Sequence, residues 1–394
     1  MPSRAVYNRA LVLPKSLIVV CAVLAAVLPG FAQGPFTESA RLSSLYDTIL
    51  AARFDAARTA LPRACPPAPR EACAALETAA LWWQVQLDPN NRALDSPLEQ
   101  AAGRAIESAS RWTNREPRSA EAWFYLAGSY APLVQWRVLR GQRLSAAREG
   151  LKIKDALEKA IALDPTMFDA YFGIGLYHYY AAVAPAAVRA LRWLLLLPGG
   201  DREQGLREIL QARDRGAILR GEADYQLHLL YLWYERQPAR AIDLLRGLDT
   251  RYPSNPLFLQ RIADIQRHYL NDHAASLETF RALLDRAAGG RVEFAAMTRV
   301  RAQIGIAQEL LAQSDAARAV DALSFTSQSH PDAPFGADAL ARLTLGLAYE
   351  RLGDRERAVT ALNDAIAVTP NGDPDDIRSK SRAALARLRS QRAS

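Results

Sequence analysis

The sequence predicts an all-α chain, built as a solenoid of helical hairpins stacked in series. Three observations carry this reading. Residues 342–370, RLTLGLAYERLGDRERAVTALNDAIAVTP, hold two short helical patterns facing each other across the turn Leu352-Gly353-Asp354. Leu345, Gly346 and Tyr349 share one stripe, and Ala358, Leu362 and Ala365 share another, as spacings of three, four and seven require on a 3.6-residue helix. Helical patterns also run repeatedly into a proline, at Pro89, Pro117, Pro165, Pro253 and Pro370, where the ladder of helical hydrogen bonds must stop. Finally, a single hairpin of this kind cannot bury its apolar stripe alone, so it needs neighbours.

Gly346 and Ala358 are small where two helix axes approach, and Tyr349 and Leu362 fill the space beside them. This pattern resembles a tetratricopeptide repeat, whose 34-residue period alternates small and large residues in this way. The resemblance implies a right-handed superhelical solenoid. It covers residues 120–370 well and residues 42–117 by spacing alone.

The chain opens with a targeting signal, residues 1–32. Arg4, Arg9 and Lys15 form a positive region, residues 16–28 (SLIVVCAVLAAVL) are an uncharged apolar run, and Gly30 and Ala32 are small residues before a cut after Ala32. The run is shorter than the roughly 20 residues a bilayer span needs, so a cleaved secretory signal is expected, with an uncleaved anchor as the alternative. Val20 before Cys21 departs from the lipidation pattern. Removing Arg4, Arg9 and Lys15 takes the formal net charge from +7 to about +4. Arginines alternate with acidic residues along most helices, so no basic face for nucleic acid is expected.

The mature chain retains two cysteines, Cys65 and Cys73, at the ends of a spacer with three prolines. Outside the cytoplasm this pair reads as a disulfide stapling a helix–turn–helix, with two free thiols as the alternative. No nearby histidine completes a metal site, and seven intervening residues do not suit a redox pair.

Residues 33–117 read as degenerate helical repeats: a helix over 42–61, a second over 71–87, and a third over 97–112 with Ser96 as its N-cap. Residues 118–370 hold the clearer copies. Trp123, Leu126 and Tyr130 pair with Leu157, Ala160 and Pro165, in helices overlong by about 14 residues against the family period. Tyr171, Ile174 and Gly175 pair with Gly205, Ile209 and Ala212 around an insertion at 181–200 (AAVAPAAVRALRWLLLLPGG). Residues 225–253 fit without a gap, and residues 259–282 and 303–323 are looser copies. Residues 371–394 read as a capping helix with a polar outer face. Asp201 suits the N-cap of the helix after the insertion. Residues 194–212 look somewhat like a block in the eukaryotic tetratricopeptide family associated with lipid-droplet-linked inclusion-body clearance.

No catalytic constellation emerges. His178, His228, His268, His273 and His330 are scattered, and no HExxH, GxSxG or GxxxxGK[ST] motif occurs. Gly173-Ile174-Gly175 lies inside a helical repeat without the strand a dinucleotide fingerprint needs. No cofactor or metal is expected. What remains is a surface: the resemblance implies a concave groove lined by the first helix of each hairpin. Mapped by repeat position, its residues are Phe124, Phe172, Tyr179, Tyr180, Gln226 and Trp233 in an aromatic half, then Gln260, Asp264 and Arg267 in a polar half. The aromatic half is the expected partner site. The expectation is therefore a non-catalytic exported scaffold holding a peptide or partner protein in that groove. The alternative is an envelope-assembly or membrane-surface component, making peripheral membrane contact through the insertion at 181–200.

Overall fold

The computed structural model describes residues 36–183 and 199–390. The expected signal, most of the 181–200 insertion and part of the 194–212 block lie outside these residues. Seventeen α-helices and no strand occur among the described residues. They are α1 (Ser39–Leu50), α2 (Phe54–Ala64), α3 (Arg70–Leu87), α4 (Asp95–Arg115), α5 (Ala120–Leu139), α6 (Arg143–Leu163), α7 (Ala170–Val183), α8 (Arg202–Arg215) and α9 (Arg220–Trp233). There follow α10 (Pro238–Arg251), α11 (Pro256–His268), α12 (His273–Ala288), α13 (Ala295–Ala312), α14 (Ala316–Ser329), α15 (Ala337–Arg351), α16 (Arg355–Val368) and α17 (Ile377–Ser390). Odd- and even-numbered helices pair as hairpins, and α17 packs on the last pair. The architecture is the expected all-α solenoid of tetratricopeptide-like hairpins.

The turns repeat one device. Gly141, Ser314 and Gly353 take left-handed backbone, and the next N–H reaches back five residues to a carbonyl: Gln142 to Arg137, Asp315 to Leu310, Asp354 to Tyr349, at 2.8–3.0 Å. This closes the first helix of each pair. Asp315 and Asp354 then cap the second helix through their side chains.

Helix pairing follows the small residues. A Cβ at Gly346 would lie 2.6 Å from Leu362 Cγ, and Ala358, Leu362 and Ala365 are fully buried, so the register read from residues 342–370 holds. The backbones of α7 and α8 come closer still: a Cβ at Gly175 would meet the Gly205 carbonyl at 2.6 Å. Asp201 caps α8 as expected, accepting from the Gln204 N–H at 2.9 Å.

Two elements differ from expectation. The helix expected over 42–61 breaks at Ala52, whose φ of 60° lets the Arg53 N–H return to Thr48 O, so α1 and α2 form a hairpin of their own. Ser96 is not the N-cap of α4, which begins at Asp95. The overlong pair is confirmed as α5 and α6, with 20 and 21 residues. Cys65, at the end of α2, and Cys73, in the first turn of α3, are joined as a disulfide.

Candidate functional site

In an open solenoid, the inner stripe of each first helix faces solvent. On α9 it does not: eleven of its fourteen residues are buried, including Glu222, Tyr225, Gln226 and His228. The covering layer is the chain's own N-terminal helices. Tyr46 of α1 donates to Glu222 Oε2 at 2.7 Å, and the Trp83 indole of α3 donates to the same oxygen at 3.0 Å. The Trp83 ring lies 4.7 Å from Tyr225 and 6.2 Å from Phe258. The end of α1 is clasped as well. Asn255 donates to Leu50 O at 2.7 Å, Ser254 to Ala51 O at 2.7 Å, and Tyr252 to Asp47 at 2.6 Å. Gly221 permits this approach, since a Cβ there would sit 2.4 Å from the Leu50 side chain.

The expected aromatic half of the groove is therefore corrected. Phe124 is buried, with its ring 4.7 Å from Phe36, and Phe172 is buried too. Tyr179 is 0% exposed and donates its hydroxyl to Glu235. Gln226 is buried and donates to Gln135 at 3.0 Å and Glu222 at 3.2 Å. Each has an apolar or hydrogen-bonding partner inside the fold, so none is available to an outside ligand in this arrangement. Tyr180 and Trp233 are exposed, Tyr180 in the last described turn of α7 and Trp233 at the end of α9. Tyr179 and Tyr180 reach Tyr234 (5.9 and 5.6 Å) rather than Trp233. Trp233 instead lines an open depression of about 440 Å³ with Leu232, Arg236, Pro238 and Tyr269.

The polar half divides. Arg267 belongs to the framework: it pairs with the fully buried Glu309, donates to Gln308 at 2.7 Å and to Gly305 O at 3.1 Å. Glu309 also holds His273 (2.7 Å) and Ser276 (2.8 Å), locking α11, α12 and α13 together. Gln260 and Asp264 stay partly open. Gln260 accepts from Arg301 of α13 at 2.7 Å, and the same guanidinium donates to Leu87 O at the end of α3. Asp264 keeps 32% of its side chain in solvent, 3.9 Å from Arg261. Burial nevertheless pushes its carboxyl above the ordinary range, against the pull of Arg261, Arg267 and Arg301.

Several residues that shape this face were missed in the sequence. Glu222 is fully buried, and burial raises its carboxyl despite hydrogen bonds from Tyr46, Gln226 and Trp83. Asp169 accepts from three consecutive N–H groups, Ala217, Ile218 and Leu219, at 2.7–2.9 Å, fixing the entry to α9. The available signal was a lone acid in each case, Glu222 before the apolar α9 stripe and Asp169 before α7. His228, also buried, is pushed down to about 3 by burial and the nearby Arg261, so it stays neutral. No group of three or more potential metal ligands occurs among the described residues, and no described helix is long and apolar enough to cross a membrane.

Residues 339–371 match the tetratricopeptide repeat family model. Among solved structures, the chain is similar to the Cut9–Hcn1 hetero-tetramer of the APC/C (14% identity over 80% of this chain and 55% of that one, TM-score 0.40). It is similar to yeast Tom70 (13% identity, 80% of this chain and 65% of that one, TM-score 0.42) and to human IFIT1 in a dimer with PPP-AAAA (12% identity, 91% and 87%, TM-score 0.42). The chain thus spans between half and two thirds of the first two. No curated protein matches the sequence.

Proposed function

We propose that this chain of tetratricopeptide-type hairpins is a non-catalytic scaffold acting outside the cytoplasm, with a segment of a partner protein held against the inner side of α11 and α13. The supporting observation is the contrast between the two halves of the inner face. On α9 the chain's own α1 and α3 occupy it, whereas Gln260, Arg261 and Asp264 on α11 keep contact with solvent. These groups offer both signs of charge and an amide within one short strip, suited to the polar backbone and side chains of an extended segment. Export rests on the signal-like residues 1–32 and on the Cys65–Cys73 pairing.

A photo-cross-linking residue in place of Asp264, introduced into the full-length protein in its native cells, tests the reading. The expected result is one discrete adduct, lost when Arg261→Glu is added and absent when the cross-linker replaces Val368. No discrete adduct at position 264, or equal adducts at both positions, would overturn the inner-face reading.

A further inference from the structure

One edge of the solenoid carries most of its exposed apolar surface. Twelve large apolar side chains are exposed among the described residues, and eight of them lie at or beside turns joining the first helix of a hairpin to the second. The richest turns are consecutive. Tyr180 lies in the last described turn of α7, Trp233 and Tyr234 stand at the end of α9, and Tyr269 and Leu270 stand between α11 and α12. The Tyr180–Tyr234 ring contact and the shared depression under Trp233 and Tyr269 join them into one strip.

The preceding turn projects furthest. α5 is six residues longer than α9, and its extra length follows Leu133, on the turn side of the repeat positions Trp123, Leu126 and Tyr130. At 1.5 Å per residue the tip stands out by about 9 Å. Val138, Leu139 and Leu144 cover it, with Leu144 78% exposed. Such a protruding apolar tip has no cleft to receive a peptide. It has the shape of something inserted.

Charge at this edge is one-sided. Arg137 and Arg140 are satisfied by Glu149 and Asp95, and Glu235 is tied to Arg202 and Tyr179. Asp272 is spent on capping α12. Arg143 and Arg236, both exposed, have no ion pair among the described residues. Uncompensated cations beside tryptophan, tyrosine and leucine suit an anionic headgroup layer, where aromatic rings sit at the interface and the cations meet phosphate.

We propose that this edge docks on an anionic lipid surface, with the α5–α6 tip and the α9–α10 and α11–α12 turns entering the headgroup region. The proposal is independent of the inner-face reading. Flotation of the full-length mature protein with vesicles of phosphatidylglycerol and phosphatidylethanolamine, compared with phosphatidylcholine alone, tests it. The expected result is binding to the anionic vesicles, weak binding to phosphatidylcholine, and release as salt rises past the range where surface charges are screened. Leu144→Asp, and separately Trp233→Asp with Tyr269→Asp, should each lower partitioning at least tenfold with an unchanged helical circular-dichroism signal. Arg143→Glu with Arg236→Glu should do so on anionic vesicles only. Leu163→Asp, an equally polar change at the opposite edge, should bind as the wild type does. No binding by the wild type, turn variants that bind unchanged, or an equal loss in Leu163→Asp would overturn the proposal. Turn variants that alter only the molar mass in light scattering would also overturn it, and would make this edge a contact between copies of the chain.

Discussion

The Trp83 indole donates a 3.0 Å hydrogen bond to Glu222, 139 residues further along the chain. With Tyr46 on the same carboxylate oxygen, it ties the first two hairpins to the fifth. In a simple solenoid each repeat touches only its neighbours, and stability adds up repeat by repeat. Here α1–α4 and α9–α11 share one core, because Trp83, Tyr225 and Phe258 pack together within it.

Glu222 should make stability depend on pH. Burial raises its carboxyl, so the native state holds that proton more tightly than the unfolded chain does. Its contribution is therefore present in acid and is lost as pH rises from the unfolded value, about 4.3, through the native one. Urea denaturation of Glu222→Gln should show a smaller loss of stability between pH 5 and 7.5 than the wild type shows. Glu222→Ala strands the Tyr46 hydroxyl and Trp83 N–H and should cost about 1–3 kcal/mol at both pH values.

The Gly346–Leu362 seam has no room. Gly346→Ala or Ala358→Leu should overpack it and cost roughly 1–3 kcal/mol, while Glu356→Gln on the exposed face should cost under about 0.5. Arg355 is unsuitable as a surface control, because it donates to Leu388 O and so holds α17. Equal melting temperatures for the seam and surface variants would contradict the register.

Arg267→Ala should be expensive for folding rather than for partner capture. It leaves Glu309 buried with its strongest counter-charge gone, a change of about 3–5 kcal/mol. Asp264→Ala, at a partly open position, should cost under about 1 kcal/mol. Chemical denaturation separates the two, and equal midpoints would refute the assignment of Arg267 to the framework.

The disulfide closes a nine-residue loop, 65–73, and reduction should destabilise the mature protein by about 2–3 kcal/mol on the loop-entropy estimate. Intact mass without reductant should be two hydrogens below that of the dithiol. N-terminal sequencing of the same sample should begin at Gln33, whereas an abundant soluble product starting at Met1 would remove the export expectation.

The hairpins were legible because their signal is local. Small residues at 346 and 358, a turn at 353 and a proline at 370 recur in register, and each acts within a few residues of itself. The contents of the groove were not legible. An inner stripe such as Tyr225, Gln226 and Leu229 has the same amphipathic pattern whether a partner or the chain's own α1 covers it. The contact that decides the matter, Asn255 to Leu50, spans 205 residues. Trp233 is exposed, but helix periodicity does not distinguish an inner face from a helix end, and α9 stops at that residue.

The tie between Tyr46 and Glu222 also sets a clock on biogenesis. α1 is among the first folded segments to leave the ribosome, yet its buried partner follows 176 residues later. At about 5–20 residues per second, that gap is roughly 10–35 s. Throughout it, Tyr46 and the end of α1 lack Glu222 and Asn255, the hydrogen-bond partners they have in the folded chain. A chain whose opening helices are completed by its middle cannot close their shared core until residue 255 has been made.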